Sequence, residues 1–89
     1  MRTSEPKAGE RIKAVRLDED MLTVDLADGR TLSTPLAWYP RLLHATREQR
    51  RNFVIAGAGF GLHWPEIDED LSVQGMLAGV AAPSVRIAV

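Results

Sequence analysis

The densest chemical vocabulary in the chain is the run His63-Trp64-Pro65-Glu66-Ile67-Asp68-Glu69-Asp70. The imidazole of His63 and the carboxylates of Glu66, Asp68 and Asp70 are ligand types that hold divalent cations. The Asp68-x-Asp70 spacing is a fragment of a calcium loop, but the glycine and glutamate that complete such a loop are absent. A zinc site fares no better, because the two histidines, His44 and His63, fall on different elements. No metal and no other cofactor is expected. The run reads instead as a turn anchored in the core by Trp64 and Ile67. Asp68, Glu69 and Asp70 then face water, where a following helix dipole favours negative charge, and they form a candidate partner-binding patch.

A second constellation is basic. Arg47, Arg50 and Arg51 sit one helical turn apart, with Arg41 and His44 upstream, so their guanidinium groups share a surface. Such a face binds phosphates or acidic partners bidentately, or is simply solvated with Glu48 and the 66–70 turn answering its charge. No aromatic residues interleave the arginines, which weakens a nucleic-acid reading. Nucleophilic chemistry has less to build on. Ser4, Ser33, Ser72 and Ser84 lie outside any G-x-S-x-G elbow, and no spacing requires Ser33 or Ser72 to join His63 and Asp68. Gly57-Ala-Gly-Phe-Gly61 is too short for a nucleotide fingerprint. No enzyme is expected.

These residues must be positioned by a single small domain, since 89 residues cannot build two cores. Hydrophobic residues at 45% and charged ones at 26% match globular averages. Eleven basic against twelve acidic side chains give a net charge of -1, so no global field selects nucleic acid or anionic lipid. Cysteine is absent, excluding disulfides and thiolate sites. No apolar run approaches the ~20 residues of a membrane span, and a cytoplasmic location is expected.

Residues 1–10 read as a flexible leader, 11–79 as one α+β domain, and 80–89 as a tail or an extra edge strand. Arg11–Leu17, Met21–Leu26 and Arg30–Leu36 alternate as three strands of an antiparallel meander. Asp28-Gly29 is the signature of a type I′ hairpin, and Pro35 marks an edge or an end. A helical segment over 38–57, divided by a Thr46–Gln49 capping box, is expected to roof the sheet and to bury Phe53, Val54 and Ala56. Tyr39 is expected half exposed. A fourth strand follows over 60–64, and Ser72 caps a short helix that ends at Gly79. The expected order is β-β-β-α-β-α.

The Asp28-Gly29-Arg30 hairpin, Pro40-Arg41-Leu42 with Ala45-Thr46, and Trp64-x-x-Ile67-Asp68-Glu69-Asp70-Leu71 resemble a bacterial and phage family of small proteins known as a domain of unknown function. The resemblance covers roughly residues 11–79. It implies an antitoxin-like partner of another small protein, with a helix-turn-helix domain fused in some members, and it brings no catalytic residues. The resulting expectation is a non-enzymatic protein-interaction module using Arg47, Arg50, Arg51, Asp68, Glu69 and Asp70. A homodimer through paired edges, at Pro35 or Val85–Val89, accompanies it. Nucleic-acid regulation through the arginine face is the alternative, and no membrane partner is expected.

Overall fold

The structure is a computed structural model and describes residues 7–80. Strands β1 (Ile12–Leu17), β2 (Met21–Leu26) and β3 (Thr31–Pro35) form the antiparallel meander expected from their alternation, in the order β1-β2-β3. On β2 the alternation becomes burial: Leu22, Val24 and Leu26 are fully buried, while Met21, Thr23 and Asp25 are half-buried on the other face. β1 alternates imperfectly because a bulge between Ile12 and Ala14 takes up Lys13. It returns Ile12 to the face shared by Val15 and Leu17.

The Asp28-Gly29 hairpin differs in detail from the type I′ turn. Only Gly29 has positive φ, at 97°. The Gly29 amide donates to the Leu26 carbonyl at 3.0 Å and the Leu26 amide to the Arg30 carbonyl at 2.8 Å. This is a three-residue loop closed by a glycine bulge, a geometry that spares Asp28 the left-handed conformation. Ala8–Glu10, expected within the leader, instead form a turn of 3₁₀ helix against this hairpin, with the Asp28 amide donating to the Gly9 carbonyl at 3.0 Å. The leader up to residue 6 and the tail over 81–89 lie outside the described residues.

The roof is where sequence and structure part. No continuous helix covers 38–57. A 3₁₀ turn at Leu36–Trp38 leads into α1 (Pro40–Leu43) and α2 (Arg47–Arg51), each little more than one turn. The Thr46–Gln49 capping box forms as expected. After Asn52 the chain becomes a second three-stranded antiparallel sheet, β4 (Val54–Ala56), β5 (Gly61–Trp64) and β6 (Glu69–Ser72), in the order β4-β5-β6. The β-branched pair Val54-Ile55 suits a pleated strand better than a helix end. The expected burial of Phe53, Val54 and Ala56 is also revised. Val54 is 49% exposed, and Phe53 and Ala56 are only half-buried.

Glu69–Ser72, expected as part of an acidic turn and a cap, pair with β5 across a tight turn at residues 65–68. Asp68 occupies that turn at φ 54°, a conformation that aspartate tolerates better than most side chains. Ser72 caps α3 (Val73–Ala78), and Gly79 at φ 77° ends it, both as expected.

One apolar core joins the two sheets. Leu22, Val24 and Leu26 from the first sheet meet Leu62 and Trp64 from the second, with Leu36, Tyr39, Leu42, Val73 and Met76 closing the margins. Tyr39 is buried at 1% exposure rather than half exposed. The chain is thus an α+β fold in which the first sheet is covered jointly by Leu62 and Trp64 of the second sheet and by short helical turns carrying Leu36, Leu42, Val73 and Met76. Truncating Leu62 to Ala leaves a cavity between the sheets and is expected to destabilise the fold by about 2–5 kcal/mol in urea unfolding. The same change at exposed Leu77 on α3 is expected to cost less than about 1 kcal/mol.

Candidate functional site

A cleft of about 320 Å³ opens between α2 and the β1–β2 turn, lined by Leu17, Asp18, Glu19, Arg47, Arg50 and Arg51. The capping box fixes the α2 lip: Gln49 N donates to Thr46 Oγ1 at 3.0 Å, and Thr46 N donates to Gln49 Oε1 at 2.9 Å. An Asx turn fixes the opposite lip. Asp18 Oδ1 accepts from the amides of Asp20 and Met21, both at 2.7 Å, and these bonds hold the Asp18 carboxyl below its ordinary range. Arg47 reaches across the mouth to Glu19 at 3.1 Å, and both side chains are largely exposed. An ion pair so exposed is worth little and opens easily.

The three arginines singled out in the sequence therefore do different work. Arg50 faces inward: its Nε donates to the Leu42 carbonyl at 2.9 Å and its Nη2 to the Leu43 carbonyl at 2.8 Å. Both carbonyls lie in the last turn of α1, where the Leu42 carbonyl also accepts from the Ala45 amide at 3.2 Å. The Arg50 carbonyl in turn accepts the indole N–H of Trp64 at 2.9 Å. Arg51 is exposed and has no hydrogen-bond or ion-pair partner among the described residues. Arg47 and Arg51 are thus the side chains available to an incoming group.

The acidic set is dispersed by the β5–β6 hairpin. Asp70 sits opposite His63 and bonds its Nδ1 at 2.6 Å, on the exposed face of the second sheet. Glu66 accepts from Asn52 Nδ2 at 2.7 Å. The Asp68 carbonyl accepts from Arg41, whose guanidinium also lies 3.8 Å from the Glu69 carboxylate. Glu69 was expected to face water, but it is paired opposite Trp64 and is buried at 6% exposure. Burial pushes its carboxyl above the ordinary range, with nearby Asp70 and Asp68 adding to the shift and Arg41 opposing it. Among the described residues the buried hydroxyls of Thr34 and Tyr39 have no hydrogen-bond partner, and burial raises the Tyr39 phenol.

Among the described residues no group of three or more histidine, aspartate or glutamate side chains is placed to hold a metal ion. Ser33 bonds Thr23 at 2.9 Å, and Ser72 Oγ accepts from Gly75 N at 2.9 Å, so neither is aimed at His63. Trp64 and Ile67 do anchor the turn, the first fully buried and the second packed against the core. Sequence reasoning missed Leu17, Asp18 and Glu19 as the facing lip. Asp18, Glu19 and Asp20 lie between two strands, and no local pattern shows that α2 folds back over them.

Fold and cleft define a small two-sheet α+β domain with a charge-lined surface cleft and no helix, among the described residues, long and apolar enough to cross a membrane. The chain belongs to the family described as protein of unknown function (DUF2442), which matches residues 12–82. Two solved structures share the fold. A protein of unknown function from Rhodospirillum rubrum superposes with a TM-score of 0.74 at 33% identity, covering 86% of this chain and 95% of its own. The uncharacterized protein CV0863 from Chromobacterium violaceum, solved by NMR, gives a TM-score of 0.69 at 28% identity, covering 88% of this chain and 73% of its own. No functionally curated protein matches the sequence.

Two outcomes follow from this geometry. Arg50→Ala removes two charge-assisted bonds and is expected to lower stability by about 2 kcal/mol, whereas Arg51→Ala is expected to stay within about 0.5 kcal/mol. Urea midpoints of both variants check this. The second outcome concerns pH. A folded-state value raised above the unfolded one means that the folded chain keeps a proton at Glu69 that the unfolded chain has lost. The Glu69 contribution is then most favourable below the ordinary glutamate range and is lost as pH rises through the raised value. Asp18, Asp25 and Asp28, held low by their hydrogen bonds, act oppositely and lose their contribution only in stronger acid. The stability of Glu69→Gln relative to the parent is therefore expected to rise from pH 4 to pH 7, measured by urea unfolding across that range. A difference that stays flat would mean that the Arg41 pairing cancels desolvation, and one that falls that it outweighs it.

Proposed function

We propose that this protein is a non-enzymatic protein-interaction module whose partner docks at the cleft between α2 and the β1–β2 turn. The observation that carries this reading is the pairing of signs across the cleft: Arg47 and Arg51 on one lip, Asp18 and Glu19 on the other, with Leu17 between them. Protein interfaces combine an apolar centre with a charged rim, and arginine is over-represented among their energetic anchors. A nucleic-acid site is built differently. Its phosphates call for a surface of one sign, and Asp18 and Glu19 would repel them at the point where the arginines attract them. The exposed Arg47–Glu19 pair can be exchanged for a carboxylate of the partner at small cost, leaving Glu19 for a basic residue on the same partner. In this reading the protein is an antitoxin-like, cytoplasmic partner of another small protein.

The test is co-purification from the native host, with chemical crosslinking, of the parent chain and of Arg47→Glu/Arg51→Glu. The parent is expected to carry a stoichiometric protein partner that the double variant loses while keeping its circular dichroism spectrum. A parallel titration against DNA and RNA at physiological salt is expected to give no binding tighter than the ~10⁻⁴–10⁻⁶ M typical of non-specific contacts. Tight nucleic-acid binding with a log-linear salt slope, abolished by the same two substitutions, would replace this reading with the regulatory one.

A further inference from the structure

Among the described residues the two sheets leave four edges, and three of them are guarded. β1 carries exposed Lys13 and Arg16 beside a bulge. β3 ends in Pro35, which has no amide to offer. β6 carries Glu69 and Asp70 and runs into α3. Charges, prolines, bulges and short strand length are devices by which soluble proteins keep sheet edges from pairing, and three-residue β4 has only the last. The segment from Asn52 to Leu62 contains no charged residue at all. Within it Val54 is 49% and Ile55 47% exposed.

Register shows how β4 presents itself. Val54 lies opposite His63 and Ile55 opposite Leu62, so Ile55 belongs to the row of core-facing residues and Val54 to the outer face. The strand therefore offers apolar side chains on both faces of the sheet, together with the backbone donors and acceptors that β5 does not use. We propose that β4 is a self-association edge, pairing antiparallel with β4 of a second copy to give one continuous six-stranded sheet. A two-fold axis through Ile55 would set Val54 opposite the second copy's Ala56, a large residue against a small one, and Ile55 opposite itself. No charge would face another, and a net charge of -1 gives the two copies little long-range repulsion. A partner strand of different sequence gains nothing from this symmetry. The surface is distinct from the arginine-lined cleft, so the inference stands or falls independently of the partner-docking reading.

A three-residue strand pair buries less than the ~1,200 Å² of stable interfaces, so association is expected to be weak and concentration-dependent. Sedimentation equilibrium of the full chain from roughly 10 µM to 1 mM should show the mass rising from one chain toward two. Ile55→Lys is expected to weaken self-association at least about tenfold. Leu77→Lys, an equally exposed apolar site on α3, should leave it unchanged. Val54→Lys, on the other face of the strand, repeats the test if Ile55→Lys does not fold. Amide hydrogen exchange of Val54–Ala56 should slow as concentration rises. A one-chain mass at 1 mM, β4 amides equally protected at every dilution, or equal losses from Leu77→Lys and Ile55→Lys would each overturn the inference.

Discussion

Burying Trp64 creates the obligation around which this small fold is arranged. The indole is fully buried, and its N–H must find an acceptor there or forfeit the solvation it had in water. The acceptor is the Arg50 carbonyl, close to the end of α2. Arg50 itself is fixed by bonds to the last carbonyls of α1. One tryptophan on β5 thus determines where two single-turn helices sit. Neither would persist alone, since helices of four or five residues are well below the length that is stable in water. Their side chains, including the arginine lip of the cleft, inherit their positions from this arrangement.

Several surface charges are answered by close neighbours. Arg16 pairs with Asp25 beside Thr31, Arg30 with Asp28 and Glu10, and Arg47 with Glu19. Glu69 departs from this pattern: it is drawn into the core margin because strand register places it opposite Trp64, and Arg41 answers its charge only at a distance. A cluster of like residues in sequence is in this way divided among unlike environments. Asp70 lies on the outer face, Glu69 on the inner, and the Asp68 backbone bends through the turn between them.

Sequence periodicity revealed the meander because β2 is buried on one face only, and a period of two survives in its residue types. It revealed the caps at Thr46 and Ser72 and the stop at Gly79 because these depend on local chemistry. It failed at β4 and β6. Val54-Ile55-Ala56 is too short to display a period, and Glu69-Asp70-Leu71-Ser72 carries polar residues that read as loop, yet both become strands by pairing with β5. Such pairing is a tertiary fact that overrides weak local preference. The candidate cleft was half legible for the same reason. Its arginines share a helix and could be grouped by spacing, while its acidic lip lies about thirty residues earlier and joins them only through the fold.

The bulge at Lys13 gives β1 a property that β2 and β3 lack. In a regular strand, losing one residue inverts every side chain on one side of the deletion, so apolar groups meant for the interior would turn outward. In β1 the extra residue is already looped out, and Ile12, Val15 and Leu17 share a face because of it. Excising Lys13 would leave a plain strand of the same parity, with Ile12 and Val15 still on one side. The first strand of the domain can therefore shorten by one residue over evolutionary time without exchanging its inside for its outside.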